Sequence, residues 1–340
     1  MNLKRRIFEN IDLSLNHHSR IHTLCGYIPQ TNRSPVFIKR EDELNPTAIG
    51  TKHRKYISLL PSIRQANYTT VILIGSAYSN NLLGLTQHLL NEHIEVHLFV
   101  KRPGSHELTG NRLFLNMLLP QSNIHTISPN HWNEVVEQAN EFAAQLQGAN
   151  RQVLVVPEGG EHPATIPGLL TLAFDIQQNQ QTYNIRFSDI WTDSGTGISA
   201  IGLLLGMRLL GMTEAHLHIT LIAGNEAEFF ERYRRFTTWT EQWLKAEIPE
   251  AGPRVTFHTP ATARSFGSIN KTVQRATITI ARETGILMDP IYSVKHLYTM
   301  KQILQQHPPT GPQLFIYNGG PLGLCGFQQT LAKQLRTQKD

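Results

Sequence analysis

The sequence predicts an α/β protein with a mainly parallel sheet and crossover helices, on three observations. Short apolar runs alternate with longer amphipathic stretches along the chain, the pattern of strand–helix–strand units. Nearly every short run closes on glycine or proline, where such strands turn into the next helix. The chain has 340 residues, 40% hydrophobic and 17% charged, enough for two domains or one large one with a substantial core.

Taken in order, Val71-Ile72-Leu73-Ile74 stops at Gly75 and leads to a helix-like stretch from near Asn80. Glu95 to Val100 is a second strand, halted by Pro103-Gly104, and Gln152 to Val156 a third, ending at Pro157. Asp189 to Thr192 runs into Asp193-Ser194-Gly195 before an apolar helix. His218 to Ile222 and Gln313 to Tyr317 complete the clear set. Ligands in open α/β sheets bind at the carboxyl ends of strands. The loops after Ile74, Val156, Thr192, Ile222 and Tyr317 are therefore the places to look.

Composition narrows the classes of function. A net charge of +5 with scattered basic residues gives no nucleic-acid groove; the densest cluster, Arg232-Tyr233-Arg234-Arg235, reads as a solvated helix face. Cys25 and Cys325 make no disulfide framework and no zinc or redox spacing. The basic start is soon followed by Glu9 and Asp12, not by a long apolar run, and the apolar stretch Ile198 to Met212 is too short to span a bilayer. The expectation is a cytoplasmic protein without membrane contact.

Ser194-Gly195-Thr196-Gly197-Ile198-Ser199 joins a strand to an apolar helix. Glycines permit close backbone approach, hydroxyls donate, and a helix start favours an anion. No lysine follows the second glycine, so this is no Walker loop, and its glycine spacing makes a poor dinucleotide fingerprint. A single phosphate fits it better; a tight strand–helix turn is the bland alternative. Lysines such as Lys52, in Gly50-Thr51-Lys52-His53-Arg54-Lys55, usually lie on solvated faces. Ser79 and Asn80 read on their own as a helix cap. His216 and His218 alternate on one strand face, as metal ligands can. No carboxylate or third histidine stands at a supporting spacing, which leaves an ordinary surface role. Trp239 to Trp243 reads as a helix packed on the core or on a partner subunit.

In order, the chain carries Lys39-Arg40-Glu41-Asp42, Gly50-x-Lys52-x-Arg54-Lys55, Gly75-x-x-x-Ser79-Asn80, Pro157-Glu158-Gly159-Gly160, Ser194-Gly195-Thr196-Gly197, Asp289-Pro290-Ile291-Tyr292 and Gly319-Gly320-Pro321-Leu322-Gly323-Leu324. This succession resembles the aminocyclopropane-carboxylate deaminase and D-cysteine desulfhydrase family, in the tryptophan-synthase-β-like group of pyridoxal 5'-phosphate enzymes. The likeness runs from about Phe37 to about Phe327. It implies two three-layer α/β domains with twisted sheets, the smaller (54–160) inserted into the larger (1–53 and 161–340), and a homodimer.

The resemblance also implies roles. Lys52 becomes the Schiff-base lysine and base at Cα, with Lys55 near the cofactor phosphate. Ser79, Asn80 and Asn81 meet the substrate carboxylate, Asn80 also the cofactor's phenolic oxygen, with Gly160 and Phe266 lining the substrate. Ser194 through Ser199 form the phosphate cup. Tyr292 stands against the cofactor ring for acid–base work, and either Ser293 or Asn318 partners the pyridine nitrogen. The implied reaction is β-elimination from a small amino acid of the D-cysteine kind, giving a 2-oxo acid and ammonia. Ring opening of aminocyclopropane-carboxylate, racemisation, or cofactor binding without turnover are the rivals. This chain departs from the family at Thr51 (usually asparagine), Tyr78 (glutamine), Glu161 to Thr165, Phe266 (a tyrosine in the deaminase) and Asn318 (threonine). The deaminase branch also has a glutamate at Ser293, which argues against ring opening.

Overall fold

The computed structural model describes residues 3–30, 34–45, 49–105, 107–148 and 151–337. Its strands are β1 (Ile21–Thr23), β2 (Val36–Arg40), β3 (Thr70–Ser76), β4 (Glu95–Lys101), β5 (Ile124–Ile127), β6 (Val153–Val156), β7 (Asp189–Ser194), β8 (His216–Leu221), β9 (Arg254–His258) and β10 (Gln313–Tyr317). Every strand named from the sequence is present, with ends displaced by a residue or two. Two compact units result: Met1–Leu15 with Lys52–Gly168, and Asn16–Thr51 with Leu169–Asp340.

The first unit holds a parallel sheet in the order β5-β4-β3-β6. β3 is buried on both faces except at its last residue, as a central strand between helix layers should be. Its strand order reverses between β3 and β6, and the loops after these two strands flank that point.

The second unit holds a sheet in the order β1-β2-β10-β7-β8-β9. Among its described pairings, only β1–β2 is antiparallel. The order reverses between β7 and β10, so the loops after Ser194 and Tyr317 meet at the crevice where α/β sheets bind ligands. On one face Trp191, Phe315 and Tyr317 pack with Val273, Val294 and Met300 in a fully buried core.

The charged run that opens the family-like series is structural here. Lys39 Nζ, fully buried, lies 2.7 Å from Asp175 Oδ2 and also donates to Ser19 O and Asn179 Oδ1. Ser19 Oγ donates to Glu41, and Arg40 makes paired bonds to Asp42. The basic cluster at Arg232 and the aromatic segment at Trp239 share one helix, Glu226–Leu244. Among the described residues no helix is long and apolar enough to cross a membrane, and both cysteines are free and exposed.

Candidate active site

In the first unit, the residues singled out at the β3 and β6 ends come together. Ser79 sits in extended backbone and caps helix Asn80–Asn91, its Oγ accepting from the Asn81 and Leu82 amides. That is the cap reading; it leaves the hydroxyl proton to donate elsewhere. Asn80 Oδ1 accepts from Asn111 Nδ2 at 2.7 Å. Asn81 is buried, and its Oδ1 accepts from Lys55 Nζ at 2.8 Å and from Tyr56 Oη at 3.1 Å. Lys55 Nζ also donates to Gly159 O, and Gly160 lies alongside: a Cβ there would stand 3.4 Å from Asn81 Oδ1 and 3.6 Å from Lys55 Nζ.

Burial first, and then the charge of Lys52, push the Lys55 ammonium well below its ordinary pKa. Lys52 itself closes the short turn Gly50–Lys52 ahead of helix His53–Gln65 and is half-buried.

The second unit gathers the other residues at the β7 and β10 ends. Gly197 (φ 89°) is the N-cap of helix Ile198–Leu209, and no side chain caps that helix. Its first amides thus face the Ser194–Gly197 turn with the positive end of the helix dipole behind them. Tyr292 lies against the same turn: a Cβ on Gly195 would come within 3.0 Å of Tyr292 Cε1 and 3.4 Å of its hydroxyl. The Phe266 ring meets Tyr292 edge-on, centroids 6.0 Å apart, and remains exposed.

Asn318 follows β10 and reaches across to β7, its Nδ2 donating to Thr192 Oγ1 (3.1 Å) and Asp193 Oδ1 (2.9 Å). The carboxylate partner fixes which end of the amide is nitrogen. Among the described residues, Asn318 Oδ1 and Ser293 Oγ are both buried without a hydrogen-bond partner. Native proteins rarely leave such atoms unsatisfied, and a ligand is one explanation. These are the two positions considered for the pyridine nitrogen, and they offer opposite chemistry: Asn318 Oδ1 only accepts, whereas the Ser293 hydroxyl also donates.

Several supporting residues escaped the sequence reading. Asp289 is buried, and its carboxylate accepts from the amides of Ile291, Tyr292 and Ser293 at 3.0, 2.7 and 3.2 Å. Its Asp-Pro start was the available signal. Tyr56, Asn111 and Asp193 orient Asn81, Asn80 and Asn318; nothing in local spacing marks them, because each acts across the fold.

No protein-family model matches the chain. A D-cysteine desulfhydrase of Serratia proteamaculans is 24% identical over 339 residues, covering 96% of this chain and 99% of its own. A mitochondrial bifunctional D-cysteine desulfhydrase/1-aminocyclopropane-1-carboxylate deaminase of Arabidopsis thaliana is 27% identical over 311 residues, covering 86% of this chain and 74% of its own. A crystal structure described as that of an ACC deaminase homologue aligns with a TM-score of 0.76 at 22% identity, over 97% of this chain and 99% of the other. That last likeness speaks for the fold.

Proposed function

We propose that this chain, which belongs to the 1-aminocyclopropane-1-carboxylate deaminase and D-cysteine desulfhydrase family, is a pyridoxal-phosphate-dependent lyase that eliminates the β-substituent of a small amino acid such as D-cysteine. The observation that carries the cofactor is the pair of unsatisfied buried atoms, Ser293 Oγ and Asn318 Oδ1, in the unit whose Ser194–Ser199 turn leads into an uncapped helix. A phosphorylated aromatic heterocycle needs an anion cradle and one polar partner for its ring nitrogen, and these residues have the chemistry to provide both.

In this reading Ser194 to Ser199 hold the phosphate, and Lys52 Nζ is the attachment point. When bound, the cofactor supplies an electron sink for the pair left at Cα. Lys52 Nζ takes the Cα proton, acting in its neutral form. Ser79 and the start of helix Asn80–Asn91 bind the substrate carboxylate through hydroxyl and amide donors, with Asn81 held in place by Lys55 and Tyr56. Tyr292 is the acid–base group beside Gly195. The leaving sulfur departs as sulfide, and hydrolysis of the three-carbon product gives a 2-oxo acid and ammonia.

Ser293 and Phe266 set the reaction type. Neither can act as a carboxylate or phenol toward a strained ring, which favours elimination over ring opening. The same reading carries a homodimer in a reducing, cytoplasmic setting, in keeping with two free cysteines.

Purified protein should absorb at roughly 410–430 nm, lose that band in Lys52→Ala, and release pyruvate and sulfide from D-cysteine. Absence of the band even after added cofactor defeats the cofactor assignment. A band without turnover on D- or L-amino acids or the cyclopropane substrate defeats the lyase assignment.

A further inference from the structure

At the opposite, amino-terminal end of β7 and β8, away from the Ser194 turn, three potential metal donors converge. Parallel register sets Asp189 beside His216, and Trp191 beside His218, so Asp189, His216 and His218 all project from one sheet face. His218 Nε2 is 2.9 Å from Asp189 Oδ1, and His216 Nδ1 is 3.6 Å from the same oxygen. One donor atom from each of the three lies within 4.8 Å of the others. Around a tetrahedral ion with bonds of about 2.0–2.1 Å, neighbouring donors stand roughly 3.3 Å apart. The observed separations bracket that value.

The remaining polar atoms of the trio are held as metal ligands require. His218 Nδ1 is 2.9 Å from His258 Nε2, His216 Nε2 is 2.8 Å from Thr256 Oγ1, and Asp189 Oδ2 accepts from Gln313 Nε2 at 2.7 Å. Such outer partners fix ring orientation and raise ligand basicity at built metal sites. His218 is further locked by stacking on Trp191, with centroids 3.9 Å apart and planes 6° from parallel. Asp189 and His216 are half-buried, so an ion and a water have access.

We infer that Asp189, His216 and His218 form a binding site for one divalent transition ion of the zinc class, separate from the lyase residues. The donor set selects among cations. Two imidazoles and one carboxylate suit zinc, cobalt or nickel rather than the all-oxygen preference of calcium or magnesium.

The test uses the full-length protein, stripped with a chelator and dialysed against zinc or cobalt. The wild type should retain one equivalent of zinc by elemental analysis and give the intense visible bands of four-coordinate cobalt. His216→Gln and Asp189→Asn should each weaken zinc binding at least tenfold while melting as cooperatively as the wild type. A Cys25→Ser, Cys325→Ser double variant should bind like the wild type. Zinc well below one equivalent, weak six-coordinate cobalt bands, or unchanged binding in a folded His216→Gln protein overturns the assignment. Because none of these readouts needs pyridoxal phosphate, they stand or fall apart from the lyase reading.

Discussion

The amide of Thr51 donates to the carbonyl oxygen of Asn318 at 3.0 Å, tying the residue just before Lys52 to the end of β10. Gly50 makes this approach possible. Its φ is 63°, and a Cβ there would fall 1.9 Å from the Asn318 carbonyl oxygen. Neither obstacle is a flexible side-chain end. Gly50→Ala should therefore destabilise the protein by at least about 2 kcal/mol and reduce cofactor loading, read by urea unfolding and by the visible band.

Asp175→Ala tests the buried network at Lys39. The mutation strands an ammonium with no exposure to water and also removes the acceptor of the Ser19 amide. Breaking one side of a buried pair costs about 3–5 kcal/mol. The loss should appear in the unfolding midpoint, and Asp175→Asn should recover part of it through its remaining amide oxygen.

Ser293→Ala should separate ligand binding from stability. Among the described residues the hydroxyl is a buried orphan, so its removal should leave the melting of cofactor-stripped protein unchanged or slightly raised. If Ser293 partners the ring nitrogen, cofactor binding should weaken about tenfold, or about 1.4 kcal/mol. Asn318→Ala should behave differently and destabilise both forms, since it also abandons Thr192 and Asp193. Unaltered cofactor affinity in both variants would count against both as partners of the ring nitrogen.

Acid should weaken the fold through His296. Burial lowers its pKa from 6.5 to about 3, so the folded chain keeps it neutral where the unfolded chain takes up a proton. Its contribution is whole above pH 6.5 and declines as pH falls toward 3. Each extra proton bound by the unfolded state steepens the decline by about 1.4 kcal/mol per pH unit. His296→Gln, which can still bond Thr220, should flatten that part of the stability–pH curve measured by denaturant titration at stepped pH.

Much of this architecture is legible from local pattern. β3, β4, β7 and β10 are apolar runs ending in loops that their composition marks, and the glycine turn at Ser194 announces an anion-friendly helix start. β1, β5 and β9 escape because they are short or half-exposed edge strands, and an edge needs no strong apolar run; β2 escapes because its apolar start gives way to Lys39-Arg40. The Lys39 run, one motif of the family-like series, braces the fold through its charges. Asp189 stands 27 positions before His216 and only the parallel register makes them neighbours; no spacing rule along the chain reveals such a pairing.

Asp289 collects the amides of three successive residues, so the backbone that presents Tyr292 and Ser293 owes nothing to what their side chains are. A lineage can exchange either side chain, a hydroxyl for a carboxylate at Ser293 for example, and keep the same presenting loop. Change at those two side chains can thereby proceed on a backbone that Asp289 already holds.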